Sequence, residues 1–262
     1  MTAQWDPAQY LKFAGPRLRP ALDLLGQIDA GDPAAVYDLG CGPGNLTPFL
    51  RGRWPKARIV GVDSSEQMLA RARDAHPAAD NPGVEWLKAD LTDWRPDAGT
   101  GVIYSNAALQ WVAGHETLFP ALADCLADGG VLAVQMPRNH TAPSHALMED
   151  TIEASPWADA IRGARGLPPV MEPEDYYDLL RPHVSELNIW ESEFLQVLEG
   201  DNAVAEYTKG TALKPFLDAL ADDEQRQAFF DDYAARLAPV YPKRPDGKTL
   251  FPFRRLFIVA TR

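Results

Sequence analysis

The sequence is poor in cysteine. Its 262 residues include two, Cys41 and Cys125. Cys41 stands inside a glycine loop, so a structural disulfide is not expected and a reducing compartment is the simpler reading. No apolar run approaches the roughly 18 residues of a membrane helix. The opening stretch MTAQWDPAQYLKF lacks a basic segment followed by an apolar one. No secretory leader is expected there, and the expected location is the cytoplasm. Without secretion, the glycosylation triplets at Asn45 and Asn139 carry no meaning. There are no internal repeats and no low-complexity tracts. No G-x-x-x-x-G-K-[ST] stretch occurs, which removes the P-loop nucleotide binders. His, Asp and Glu do not recur at ligand spacing, so no metal site is expected. Positive charge is also short: 25 Lys and Arg stand against 37 Asp and Glu, a net −12. A chain of that sign repels polyanions, which argues against a nucleic-acid partner.

What remains is an ordinary globular composition, 46% hydrophobic and 24% charged. The length suits one large α/β domain, or a core with a smaller addition. From residue 36 to 136, short apolar runs alternate with helical spacing. Strands are expected at Val36–Leu39, Arg58–Asp63, Val84–Asp90, Gly101–Asn106 and Val131–Met136. Helices are expected over 17–29, in NLTPFLRGRW, in SSEQMLARARDAH and in ETLFPALADCLA, the last ended by Gly129-Gly130. Ser64 or Ser65 can cap the third of these, with Met68, Leu69 and Ala72 on its inner stripe. This alternation implies a parallel sheet with right-handed crossovers. After Pro137 the rhythm changes. Helical pieces fall near 144–155 and 173–181. A long strand or strand pair spans 185–198, two or three helices fill 201–239, and a last strand covers Leu256–Ala260.

The expected fold is therefore α/β. It is a Rossmann-like, doubly wound, mostly parallel seven-stranded sheet with a helical cap inserted in the C-terminal half. The expected division is a core over 1–137 with an N-terminal helical lid, and cap insertions at 138–182 and 199–245. Strands at 183–198 and 250–262 would complete the sheet. The stretch 238–248, APVYPKRPDGK, reads as a loop suited to a lid.

The loop Val36-Tyr-Asp-Leu-Gly-Cys-Gly-Pro-Gly-Asn45 carries the chemistry. In an open α/β sheet, ligands bind at the carboxyl ends of the strands. Glycine at alternate positions lets the backbone approach a ligand closely. A dinucleotide loop wants G-x-G-x-x-G/A, but Asn45 holds the third glycine place. Asp38 precedes the first glycine, where it suits an ammonium group better than a pyrophosphate. Asp63 ends the second strand, 19 residues after Gly44, and could accept from two ribose hydroxyls. Asp90 ends the third, where it could accept from an adenine amino group while Leu91 and Met68 cover the ring. Amine, ribose and adenine in a row describe S-adenosylmethionine.

The segments VYDLGCGPGN, IVGVDSS, KADLTDW, IYSNAALQWV and LADGGVLAVQMP resemble the class I S-adenosylmethionine-dependent methyltransferases. WDPAQYLKFAGPRLRPALDLL, GGVLAVQMPRN, YYDLLRP, TKGTALKPFL and RLFIVATR are similar, more narrowly, to the family of trans-aconitate methyltransferases. The resemblance covers nearly the whole chain. It implies that Asp38, Gly40, Cys41, Gly42 and Gly44 line the methionine end of the cofactor. Asp63 would hold the ribose, Asp90 and Leu91 the adenine, and Asn106 and Ala107 would lie beside the sulfonium, with Ser64 and Met68 also expected to bind the cofactor. Tyr10, Phe13 and Arg19 on the first helix would close over it. Methyl transfer to a carboxylate of a small acid is implied, in line, without metal or general base. A carboxylate is already ionised at neutral pH. After the fourth strand the chain reads Asn106-Ala107-Ala108-Leu109, not the Asn/Asp-Pro-Pro-Tyr/Phe of enzymes that methylate bases. The alternatives are another small anionic acceptor, a cofactor-binding module without catalysis, and a dehydrogenase.

A small polyanionic acceptor needs cations. Residues 241–262 carry six basic residues against one acid, which suits either a solvated tail or an anion patch. Candidates for holding the acceptor are Arg138, His140, Lys209, Lys214, Arg254 and Arg255. Tyr104, Trp111, Tyr207 and Thr211 could add hydrogen bonds or an apolar wall. His145 reads as an ordinary surface residue.

Overall fold

The protein is described by a computed structural model covering residues 18–164 and 170–262. The order of elements begins α1 (Arg19–Gly26), β1 (Ala35–Leu39), α2 (Thr47–Arg53), β2 (Arg58–Asp63), α3 (Glu66–Ala75), β3 (Val84–Lys88), β4 (Thr100–Asn106), α4 (His115–Asp124) and β5 (Leu126–Pro137). It continues with α5 (Pro143–Ala154), α6 (Ala158–Arg162), α7 (Pro173–Leu180), β6 (Glu186–Leu198), α8 (Ala203–Lys209), α9 (Lys214–Asp218), α10 (Asp223–Leu237) and β7 (Thr249–Thr261). One seven-stranded sheet runs β3-β2-β1-β4-β5-β7-β6. β1 pairs in parallel with both β2 and β4, and β2–β3 and β4–β5 are parallel too. β7 runs antiparallel to β5, since Gly129 N–H donates to the Arg262 carbonyl and Arg138 N–H to that of Arg254. Strand order reverses between β1 and β4, which makes the carboxyl ends of those strands the place for a ligand. Among the described residues, no helix is long and apolar enough to cross a membrane.

The chain divides into two compact units. The first is Met1–Pro137, Val170–Ser192 and Leu256–Arg262; the second is Arg138–Pro169 and Glu193–Arg255. The core of the first joins Leu39, Val62, Ile103, Phe119, Leu132, Val134, Tyr176 and Ile258, all nearly sealed from water. α7 belongs to it: Tyr176 packs 4.8 Å from Phe119, and its hydroxyl lies 2.6 Å from His115 Nδ1. The second unit gathers Met148, Ile152, Ile161, Val204, Phe229, Tyr233 and Phe251.

Local chemistry explains the element ends. Ser65 caps α3, its hydroxyl accepting from Met68 N–H at 3.3 Å. Three expectations shift. The helix read as reaching Gly129 stops at Asp124, and Gly129-Gly130 lie inside β5. Gly129 takes φ 73°, and a Cβ on Gly130 would sit 2.8 Å from the Thr100 carbonyl. The pair therefore kinks a strand and does not cap a helix. β3 ends at Lys88 and not Asp90, because Asp90 Oδ1 accepts from Thr92 N–H and turns the chain. The final strand begins at Thr249, with Phe251 and Phe253 extending it ahead of Leu256.

Candidate functional site

The carboxyl ends of β1, β2 and β4 carry a cluster built from the glycine loop and its acids, all in the first unit. Gly40, Gly42 and Gly44 have φ of 73°, 54° and 78°. At Gly40 the need is double, since a Cβ there would lie 2.1 Å from the Ala108 Cβ. Asp63 organises the loop: its Oδ2 accepts from Gly42 N–H at 2.9 Å and its Oδ1 from Ser65 N–H at 2.8 Å. Each oxygen keeps a second lone pair, so two further donors can still be served. Trp86 lies over the same region. A Cβ on Gly61 would meet its ring at 2.5 Å, and one on Gly44 at 2.6 Å. His76 stacks on Trp86 at 5.9 Å, and its Nε2 lies 2.9 Å from the Gly44 carbonyl.

Asp38 is 2% exposed. Burial first, and then the Asp63 charge, push its carboxyl up to about 7. Burial, with Asp38 and Asp63 nearby, also pushes the Cys41 thiol up. Asp38 is in register with Tyr104, and Asn106 lies two residues further along the same strand, so Asp38 and Asn106 share a face of the sheet. Asp38 Oδ2, Asn106 Oδ1 and Gln110 Oε1 are buried without a hydrogen-bond partner. All three are acceptors. Gln110 Nε2 donates to the Ala107 carbonyl at 2.8 Å, and Ala107 holds φ 54°, a strained value for a residue with a Cβ. Buried acceptors left without a donor in low dielectric fit a donor-rich cation better than a phosphate. The ammonium of S-adenosylmethionine meets that requirement; a pyrophosphate, which carries no donor, does not.

Other expected cofactor residues sit less deeply. Asp90 is exposed, and its bonds to Thr92 hold its carboxyl below the usual range. Leu91 is buried, Met68 half-buried and Ser64 exposed. Arg19 is exposed on α1 and lies 3.6 Å from Asp23. Tyr10 and Phe13 lie outside the described residues.

The expected acceptor residues separate into two groups. In the second unit, Arg255 is 6% exposed. Its guanidinium lies 4.7 Å from the Phe253 ring and 5.8 Å from Phe194, and it is hydrogen-bonded to Tyr207. Burial lowers its pKa and Tyr207 opposes that, yet a guanidinium stays charged. Tyr207 in turn packs edge-on to Phe251 and Phe253 at 5.4 and 5.7 Å. Arg138 is buried, and His140 half-buried. His145, expected at the surface, is instead half-buried, with its pKa pushed down to about 4 by burial and by His140.

The remaining candidates do not join them. Tyr104 is fully buried, and its hydroxyl donates to the Ala21 carbonyl at 2.7 Å. It ties α1 to β4 and has no face for an acceptor. Trp111 is 56% exposed on a short 3₁₀ turn, Leu109–Trp111. Lys209 is exposed, with Nζ 4.5 Å from the Phe230 ring; Lys214 pairs with Asp218; Thr211 closes a local turn onto the Thr208 carbonyl. Arg254 points outward, on the opposite face of β7 from Arg255. Sequence reasoning missed Trp86, His76, Gln110 and Asn139. Gln110 was within reach, since it belongs to the IYSNAALQWV stretch. The other three become visible only when strands are paired.

Residues 36–130 match the family model described as a methyltransferase domain. A trans-aconitate 2-methyltransferase of Azoarcus sp. (strain BH72) is 50% identical over 98% of this chain and 99% of its own. Relatives of that name from Rhodopseudomonas palustris (strain BisB18) and Streptomyces coelicolor are each 46% identical, over 99% and 98% of this chain and 100% and 86% of theirs. Among solved structures, an S-adenosylmethionine-dependent methyltransferase from Mesorhizobium loti superposes with TM-score 0.53 at 19% identity, over 95% of this chain and 99% of its own. Phosphoethanolamine N-methyltransferase 2 of Haemonchus contortus, solved with phosphomonomethylethanolamine and S-adenosylhomocysteine, gives 0.55 at 14%, over 92% of this chain and 51% of that one. The structural likenesses carry the fold alone. Identity near one half along the full length carries the family, and the chain belongs to the trans-aconitate 2-methyltransferase family of S-adenosylmethionine-dependent enzymes.

Proposed function

We propose that the chain transfers the methyl group of S-adenosylmethionine to a carboxylate of trans-aconitate, giving a methyl ester and S-adenosylhomocysteine. The observation that carries the reading is the full-length identity to relatives of that name. The buried, unpartnered acceptors Asp38 Oδ2, Asn106 Oδ1 and Gln110 Oε1 support the cofactor. When bound, the sulfonium supplies an electrophilic methyl carbon and a neutral thioether leaving group. The chain's own work is to hold and align. Asp38, ionised, faces positive charge; Asp63 accepts from ribose hydroxyls; Asp90 and Leu91 receive the adenine. A carboxylate acceptor needs no proton removed, so orientation and exclusion of water are the tasks left to the protein.

In the second unit, Arg255 holds one acceptor carboxylate, with Arg138 contributing charge and His140 a hydrogen-bonding ring. The aromatic box around Arg255 fixes its planar fork, which suits bidentate capture. On this reading 1–137 binds the cofactor, the parts of 138–182 and 199–245 that lie in the second unit serve the acceptor together with Arg255, and 183–198 and 250–262 complete the sheet. Two free cysteines suit a cytoplasmic setting. The partners are small di- or tricarboxylates and not nucleic acid. Incubation with trans-aconitate and S-adenosylmethionine, followed by mass spectrometry and mild alkaline hydrolysis, tests the product. A monomethyl species that releases methanol in base is expected. A methylated species resistant to base would refute ester formation.

A further inference from the structure

Asn139 follows β5 closely and is 5% exposed. Its side chain is turned to backbone. Its Oδ1 accepts from Arg254 N–H at 2.8 Å, and its Nδ2 donates to the Arg254 carbonyl at 3.0 Å. That carbonyl also accepts from Arg138 N–H at 3.0 Å. The amide orientation is fixed by this pairing, since only one placement of oxygen and nitrogen satisfies both backbone groups. The Asn139 carbonyl meanwhile accepts from Ala142 N–H at 2.8 Å, closing the turn into α5. The side chain thus imitates a peptide unit and adds a rung to β7 where the chain of β5 departs.

The rung falls at a consequential place. Arg254 and Arg255 are consecutive, so they lie on opposite faces of β7. Arg255 shares its face with Phe253 and meets Phe194 and Tyr207; Arg254 is exposed. A slip of one residue would exchange them, since side-chain direction alternates along a strand. Arginine follows arginine, so a slip confined to this end of the strand would lose no charge. Burial of Phe251 holds the face of β7 as a whole, and the Asn139 clamp fixes the backbone at Arg254 itself.

We propose that Asn139 is a positioning residue whose amide pins the register of β7 at Arg254, so that Arg255 and not Arg254 is presented to the acceptor carboxylate. The inference rests on the reading of Arg255 given above. Asn139→Ala removes both bonds. Asn139→Asp keeps the size and one acceptor but loses the donor to the Arg254 carbonyl. Both variants, Arg255→Ala and the double variant Asn139→Ala/Arg255→Ala would be compared for KM of trans-aconitate, kcat, S-adenosylmethionine affinity and melting temperature. The expected result is a KM raised about tenfold in both Asn139 variants, from a misplaced charge-assisted contact, with kcat and cofactor affinity near wild type. In the double variant, Asn139→Ala should add little to Arg255→Ala, because the two act as one unit. Unchanged KM in the Asn139 variants, with KM raised in Arg255→Ala, would overturn the inference alone. So would a fully additive double variant, or parallel losses of kcat, cofactor affinity and melting temperature, which mark a merely structural role. Unchanged KM in Arg255→Ala would overturn the reading of Arg255 and the inference with it.

Discussion

Replacing Asp38 by asparagine tests the electrostatics of the glycine loop most sharply. In the native chain the carboxyl is buried beside Asp63 and titrates at about 7, whereas an aspartate in the unfolded chain titrates near 4. The folded state therefore keeps a proton that the unfolded chain has already lost between about pH 4 and pH 7. With more protons bound in the folded state, stability falls as pH rises through that window. The rise from about 4 to about 7 amounts to about 4 kcal/mol when the group is fully ionised, roughly 3 of which fall between pH 5 and pH 8.5. The asparagine of the Asp38→Asn variant does not titrate. It leaves a buried amide with one unmet donor, at a cost of about 1–3 kcal/mol independent of pH. The variant should thus be no more stable than wild type at pH 5 and more stable by about 1–3 kcal/mol at pH 8.5. Cofactor affinity should move the opposite way. The variant loses the charge that faces the ammonium, and wild-type affinity should weaken about tenfold at pH 6, where roughly one Asp38 in ten is ionised. Urea midpoints at pH 5 and 8.5, with calorimetric titration of S-adenosylmethionine at pH 6 and 8, read both effects. Parallel pH dependences of stability in the two proteins would refute a raised Asp38.

Three further substitutions probe the surrounding structure. Gly61→Ala places a methyl 2.5 Å from the Trp86 ring; it should cost about 1–3 kcal/mol by overpacking, read by thermal melting, and weaken cofactor binding through the displaced indole. Tyr104→Phe leaves the Ala21 carbonyl without its buried donor; a loss of about 1–2 kcal/mol in stability is expected, with KM for the acceptor unchanged. Lys214→Ala breaks an exposed pair with Asp218; stability within about 0.5 kcal/mol of wild type and unaltered KM are expected, and a raised KM would return Lys214 to the acceptor site.

The first half of the fold was legible because buried parallel strands leave continuous apolar runs, as in Val36–Leu39 and Arg58–Asp63, each ended by a loop residue with a chemical reason to be there. The acids at those ends point to a ligand with amine and hydroxyl groups, and the oxygens of Asp38, Asn106 and Gln110 are buried without a partner. Local sequence misled where glycine served packing. Gly129-Gly130 reads as a helix stop, yet it lets β5 approach the Thr100 carbonyl. The acceptor residues were far less legible. Six cations near the C-terminus look alike along the chain, and only strand pairing separates buried Arg255 from exposed Arg254. Tyr104 reads as a source of a hydrogen bond or an apolar wall for the acceptor, but its hydroxyl is spent on the Ala21 carbonyl of α1. Asn139 gave no signal at all, since its partner Arg254 is 115 residues away.

Whether the acceptor is a small carboxylate held by arginine is read from kcat/KM for methyl transfer from S-adenosylmethionine across a panel of di- and tricarboxylates. Turnover on trans-aconitate well above the rest of the panel is expected, with a steep loss in Arg255→Ala carried by KM. Tight cofactor binding with no acid methylated, or preference for a neutral or amine acceptor, would contradict it.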